Sequence, residues 1–342
     1  MNAHPIPPGS FLSRLDAIPR LDLAQYPTRL EFLPCLSREL GRRIYIKRDD
    51  EIGPGLGGNK TRKLEYLMAD ALRQGARKVV TFGGLQSNHA RITAAVARRV
   101  GMEPHLFYFE RRPSRMDGNL LLNQLLGARL HFIPFGGRGG MTVEASSRLV
   151  HLVAWALVGP HYFIPVGGHN RLGALGYVRA ALEINAQAGA LGIEEAWLIV
   201  AAGSGGTLAG LMAGLALAGS SMKLLGIDVG KLWQAFPASI ARLANELCIH
   251  LGSAPRFQAT GVPLIEQTYV GERYGVPSAQ GLAAIRTLAQ TEGIFLDPIY
   301  TGKAFAGMLD LVSQGQLGRD EPVIFLHTGG IPALFALHQT QS

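Results

Sequence analysis

The chain has 342 residues, long enough to bury a sizeable core and to divide into about two domains, and its 47% hydrophobic and 17% charged content excludes a disordered chain. Its 33 basic and 25 acidic residues leave a net charge of +8, but the cations are scattered, so an enzyme with an electropositive surface is the simpler reading and no nucleic-acid partner is expected. The two distant cysteines, Cys35 and Cys248, exclude a disulfide framework or a cysteine metal cluster and read as reduced, buried thiols of a cytoplasmic protein.

In chain order, Met1–Pro8 lacks the apolar run of a secretory signal. Ile44–Lys47 (I-Y-I-K) reads as a strand, and a helix starts near Lys60 and runs through Ala69 and Leu72, with Asn59 as its expected cap. Lys78–Phe82 (K-V-V-T-F) reads as a strand, followed by the turn G-G-L-Q-S-N-H and a helix over Ala90–Arg99. Arg111–Gly118 and Phe135–Met141 are expected as loops, and His151–Val158 and Ala174–Gln187 as helices. Trp197–Ala202 reads as a strand, then G-S-G-G-T and a helix from Leu208; the glycine break argues against a membrane span over Ala196–Gly219. Val323–Leu326 reads as a strand, then H-T-G-G and a short helix near Pro332. Strands alternating with helices imply an α/β fold with parallel sheets, and three Gly-rich turns then fall at strand carboxyl ends, where such sheets bind ligands.

Those turns hold the candidate site. Gly203, Ser204, Gly205, Gly206 and Thr207 offer backbone amides and hydroxyls at a helix start, which suits a phosphate monoester; the plain alternative is a βα turn. Lys60, in G-G-N-K-T-R-K, can serve as a Schiff-base amine if burial and the neighbouring cations Arg62 and Lys63 lower its pKa; taken alone, a solvated first-turn lysine is simpler. Gln86, Ser87, Asn88 and His89 can bind a carboxylate or merely cap a helix. Tyr274, Tyr300, Thr301 and Thr328 lie in turn-like segments; the tyrosines can stack on a flat ring or carry protons, or sit there as ordinary turn residues.

Together and in order, I-K-R-D-D (46–50), G-G-N-K-T-R-K-L-E (57–65), G-G-L-Q-S-N-H (83–89), G-N-L-L-L-N-Q-L-L-G-A (118–128), G-A-L-G-Y-V (173–178), G-S-G-G-T (203–207), E-G-I-F-L-D-P-I-Y-T-G-K (292–303) and H-T-G-G (327–330) mark a resemblance. The chain resembles the D-cysteine desulfhydrase and 1-aminocyclopropane-1-carboxylate deaminase family of pyridoxal-phosphate enzymes. The resemblance implies the two-domain, parallel-sheet, tryptophan-synthase-β-like fold (fold type II). Residues 1–60 and 167–342 would form a large cofactor-binding domain and 61–166 a smaller inserted one, in a homodimer. It implies pyridoxal 5′-phosphate as a Schiff base on Lys60, with Gly203–Thr207 around the phosphate, Tyr300 stacked on the ring, Thr328 at its nitrogen and Asn88 at its oxygen. Ser87, Asn88, His89, Tyr274 and His169 would meet a small amino-acid substrate, with Lys60, Ser87, Tyr274 and Tyr300 catalytic.

The implied reaction is α,β-elimination of D-cysteine, or a similar β-substituted amino acid, to pyruvate, ammonia and sulfide. A cysteate sulfo-lyase, a cyclopropane deaminase and a catalytically silent cofactor binder are the alternatives. The deaminases carry a glutamate directly after the tyrosine, where this chain has Thr301, and that favours elimination. The family's usual G-G-S-N is replaced here by Gly167, Gly168, His169 and Asn170, followed by Arg171, which places His169 and Arg171 as candidates for tuning the substrate pocket. The stretches 107–113 and 227–233 also depart from the family pattern.

Overall fold

The computed structural model describes residues 10–134, 142–318 and 320–340. In chain order its strands are β1 (Leu30–Phe32), β2 (Ile44–Arg48), β3 (Lys78–Gly83), β4 (Glu103–Tyr108), β5 (Arg129–Phe132), β6 (Tyr162–Phe163), β7 (Trp197–Ala202), β8 (Lys223–Asp228), β9 (Leu264–Ile265) and β10 (Val323–His327). They form a six-stranded sheet, ordered β1-β2-β10-β7-β8-β9, and a four-stranded sheet, ordered β5-β4-β3-β6. Every pairing is parallel except that of β1 with β2. The antiparallel edge was not foreseen, because Leu30–Phe32 is too short to carry a strand period.

The central strands are covered on both faces, so they read as continuous apolar runs rather than alternating ones. On the larger sheet, the helices Arg171–Ala190, Gly206–Leu217 and Phe236–His250 pack one face. Ala279–Glu292 and Thr301–Ser313 pack the other. The helix Lys60–Arg73 contributes Leu64, Leu67, Met68 and Ala71 to the core beside the smaller sheet, with Val79 of β3 and Ile92 of the helix Asn88–Arg99.

The helix expected over His151–Val158 begins earlier, at Val143, where Thr142 caps it by accepting the Ala145 N–H at 3.2 Å. Met1–Pro8 and the loop expected over Phe135–Met141 lie outside the described residues. Asn59 does not cap its helix by its side chain: its backbone is already helical (φ −52°, ψ −23°), and the side chain turns into the site instead. Cys248 is buried, but Cys35 is only half-buried; both thiols are free. Among the described residues no helix is long and apolar enough to cross a membrane.

Candidate active site

The carboxyl ends of β3, β7 and β10 open onto one cavity of about 510 Å³ between the two sheets. Lys60, Ser87, Asn88, His89, Gly203, Ser204, Gly205, Thr207, Tyr274, Tyr300 and Thr328 all line it. These side chains come from segments far apart in sequence, and only the strand order brings them together.

Lys60 is the first residue of its helix. Its Nζ donates to Asn59 Oδ1 at 2.9 Å, and Asn59 Nδ2 donates to Thr207 Oγ1 at 3.2 Å. Asn59 therefore ties the amine to the Gly203–Thr207 turn, which is why it is unavailable as a cap. Burial pulls the Lys60 pKa down to about 8, and the Asp297 carboxylate opposes that fall. The expected help from neighbouring cations is not what acts here. Arg62 points the other way, into a buried cluster with Asp49 and Glu183.

The turn after β7 is shaped for an anion. Gly205 has φ +81°, and a Cβ there would stand 2.7 Å from Ile240 Cγ1 and 2.9 Å from Phe236 Cε2, so only glycine fits. The turn opens the helix Gly206–Leu217, whose first amides have no intrahelical partners. Lys63 was not singled out as a ligand in the sequence, yet its buried Nζ donates to Gly167 O at 3.0 Å and would lie 3.0 Å from a Cβ on Gly206. Burial holds its amine well below the ordinary lysine value, with Lys60 adding to the effect. Its place four residues from Asn59, one turn along the same helix face, was the available signal. Trp233 was missed as well; its indole N–H donates to Gly203 O at 3.0 Å and braces the turn.

Across the cavity, Ser87 caps the helix Asn88–Arg99, its Oγ accepting the Ala90 N–H at 3.2 Å. Asn88 Oδ1 accepts from Asn119 Nδ2 at 2.9 Å, which orients the Asn88 amide. His89 Nε2 lies 2.8 Å from Thr81 Oγ1, whose own proton goes to Ile164 O at 2.8 Å. The imidazole therefore donates through Nε2, and its buried Nδ1 is left without a partner. Burial, then Lys60 and Lys63, push its pKa well down, so it is neutral. Tyr274 and Tyr300 place their hydroxyls 2.5 Å apart, and burial raises both phenols.

Two expectations are corrected. His169 does not line the cavity: the left-handed turn at Gly167 and Gly168 (φ +66° and +61°) folds it behind the Gly206 turn. There its Nε2 lies 3.2 Å from Ser239 Oγ and its ring 5.2 Å from that of Trp233, and burial lowers its pKa to about 3. Arg171 is exposed at the start of its helix and lines a separate hollow with Tyr66, Asp70 and His250. Thr301 is fully buried and turned from the cavity; its Oγ1 donates to Asp297 Oδ2 at 2.8 Å.

A family model described as "Pyridoxal-phosphate dependent enzyme" matches residues 21–329. The chain belongs to that family. Among this pyridoxal-phosphate enzyme's relatives, a D-cysteine desulfhydrase of Klebsiella pneumoniae (strain 342) is 41% identical over 339 residues, covering 96% of this chain and 98% of that one. One of Yersinia pestis (strain Pestoides F) is 42% identical over 331 residues, covering 95% and 98%. The crystal structure of an ACC deaminase homologue superposes with a TM-score of 0.86 at 37% identity, over 98% of each chain. A threonine deaminase from Solanum lycopersicum, with a TM-score of 0.63 at 18% identity over 94% of this chain and 83% of its own, shares the fold. The residues present fit the family's cofactor. An enclosed amine suits its aldehyde, a turn that admits no side chain at Gly205 suits its phosphate, and paired phenols border the space between.

Proposed function

We propose that the chain is a carbon–sulfur lyase that performs α,β-elimination on D-cysteine, giving pyruvate, ammonia and sulfide. The observation that carries this reading is the Lys60–Asn59–Thr207 link, which ties an enclosed amine to an anion-binding turn in one cavity. The choice of substrate rests on the relatives, which are D-cysteine desulfhydrases at 41% and 42% identity.

Pyridoxal phosphate supplies, when bound, an electron sink for the charge that develops at the α-carbon. Gly203, Ser204, Gly205, Gly206 and Thr207 would hold its phosphate through helix-start amides and hydroxyls, and Thr328 would serve its ring nitrogen. The Ser87 hydroxyl, the Asn88 side chain and the backbone N–H groups of Asn88 and His89 hold the substrate carboxylate at the positive end of their helix. The Lys60 amine takes the α-proton; a pKa of about 8 leaves a usable unprotonated fraction at neutral pH. The Cβ–S bond breaks with its electron pair leaving on sulfur while the former Cα–H pair forms the Cα=Cβ bond, and the released enamine tautomerises to an imine that water hydrolyses to pyruvate and ammonia. The Tyr274–Tyr300 pair, kept protonated by burial, delivers a proton there.

We further propose a cytoplasmic homodimer in which 61–166 form a lobe inserted between 1–60 and 167–342. Free cysteines support the compartment, the exposed Leu152, Trp155 and Leu157 support the dimer, and the smaller sheet's confinement to Lys78–Phe163 supports the lobe.

Two experiments test the central reading. Lys60→Ala should abolish borohydride-stable attachment of the cofactor and cut turnover by a factor of at least about a thousand; full turnover, or a label on another peptide, overturns it. D-cysteine, L-cysteine, cysteate and 1-aminocyclopropane-1-carboxylate should then be assayed side by side. D-cysteine should release ammonia fastest, and faster release from the cyclopropane substrate would favour the deaminase instead.

A further inference from the structure

Tyr300 is presented to the cavity by a turn built around Asp297. The Asp297 side chain is fully buried and accepts four hydrogen bonds. The N–H groups of Ile299 and Tyr300 donate to Oδ1 at 2.8 and 2.7 Å, and the N–H and Oγ1 of Thr301 donate to Oδ2 at 2.9 and 2.8 Å. Two oxygens that together accept four donors belong to an ionised carboxylate, because a protonated acid would have to donate from one of them. The same group backs the turn after β10: a Cβ on Gly330 (φ +113°) would stand 2.5 Å from Oδ2. That turn carries Thr328, whose carbonyl accepts the Asn59 N–H at 3.1 Å, and Asn59 holds the Lys60 amine. A buried negative charge thus stands one layer behind Tyr300, Thr328 and Lys60.

We propose that Asp297 is the positioning anion of this site: it fixes the turn that presents Tyr300 and sets a buried negative charge against the Lys60 amine. The proposal rests on the reading of Lys60 as the cofactor-bearing base. The surrounding titratable groups leave that role to Asp297. Burial drives Lys63 and His89 toward their neutral forms and keeps Tyr274 and Tyr300 protonated. Glu110 acts on Tyr274, and Asp228 acts on Lys303. Lys303, lowered by burial to about 8 and supported by Asp297, donates to Val270 O at 2.6 Å and Arg273 O at 3.4 Å, anchoring the segment that bears Tyr274. Asp297 is the carboxylate that acts on the Lys60 amine itself.

Asp297→Asn removes the charge and keeps the shape, whereas Thr301→Val removes one donor and keeps the charge. Two quantities are read against pH in the full chain: kcat of the holoenzyme, and the rate at which protein stripped of cofactor recombines with pyridoxal phosphate. Both need the unprotonated amine. In Asp297→Asn the acid limb of both profiles should move down by about one pH unit, so recombination on the acid side is roughly tenfold faster, while plateau kcat falls as Tyr300 loosens. Thr301→Val should lower plateau kcat and leave the limb in place. An Asp297→Asn limb that stays at the wild-type position overturns the proposal. Should that variant not fold, Asp297→Glu retains the charge, and a limb displaced downward in it overturns the proposal equally. Mapping the borohydride label separates the two readings: a label away from Lys60 sinks the cofactor-lysine assignment, whereas a label on Lys60 with an unmoved limb sinks only the role of Asp297.

Discussion

Burial pulls the Lys60 amine to about 8, while Arg62, two residues on, is engaged by Asp49 and Glu183 and has no part in that shift. A base that works unprotonated makes kcat rise with pH until about 8 and then level, so a pH–rate profile already flat at pH 6 would contradict its role. Gly205 is the second residue on which the site depends. Gly205→Ala must place a Cβ 2.7 Å from Ile240 Cγ1 at φ +81°. Left-handed strain of about 1–2 kcal/mol and displacement of the turn should weaken cofactor binding roughly tenfold, as read by fluorescence titration. Both residues were legible only through the ordered set of motifs, since alone Lys60 read more simply as a solvated first-turn lysine and G-S-G-G-T could be a plain βα turn. Asp297 and His169 were not. Asp297 reads as the start of an ordinary D-P turn until four donors are seen to converge on it. His169 points where the backbone of Gly167 and Gly168 sends it, and that depends on packing rather than on residue type.

The helix Lys60–Arg73 is held in place by a buried ionic cluster. Arg62 Nε and Nη2 each reach an Asp49 oxygen at 2.8 Å, Arg62 Nη1 reaches Glu183 Oε2 at 2.9 Å, and Lys47 Nζ lies 2.5 Å from Glu183 Oε1. The cluster joins that helix to β2 and to the helix Arg171–Ala190, so it fixes the ground from which Lys60 and Lys63 project. Arg62→Met leaves Asp49 buried without its guanidinium and should lower unfolding stability by roughly 3–5 kcal/mol in urea titrations. Burial alone would raise the pKa of Asp49 and of Glu183, but Arg62 and Lys47 outweigh it and hold both below their ordinary values. Groups depressed in the folded state stabilise it above their unfolded pKa values, near 4, and lose that contribution as pH falls through the folded values. Stability of the wild type should therefore decline below about pH 4, and Asp49→Asn should flatten the decline. At this scale the strands and helices were largely readable, because runs such as W-L-I-V-A-A and V-I-F-L pair apolar continuity with a following glycine turn. The cluster was not readable, since a buried and a solvated arginine look alike in a sequence until Glu183, 121 residues away, is brought beside it.

Across the whole molecule, two mostly parallel sheets face a shared cavity, and the helix Val143–Val158 exposes Leu152, Trp155 and Leu157 beyond it. The homodimer proposed above would cover some of these groups. Sedimentation equilibrium should return a dimer, and Trp155→Glu should shift it toward monomer; a wild-type monomer at every concentration would refute the assembly. The strand order that makes the cavity was foreseeable only as a class, since pairing in space is a tertiary outcome. That arrangement also divides labour around the cavity. Phe109, Thr142, Val143 and Ser146 form a wall on the smaller sheet's side, while Gly203–Thr207, Tyr300 and Thr328 come from the larger. Directed evolution toward a different amino acid therefore has a compact target. A library confined to those four wall positions should retune which side chain is accepted while pyridoxal phosphate stays bound as tightly as before, so selection can run on turnover alone without a parallel search for restored cofactor.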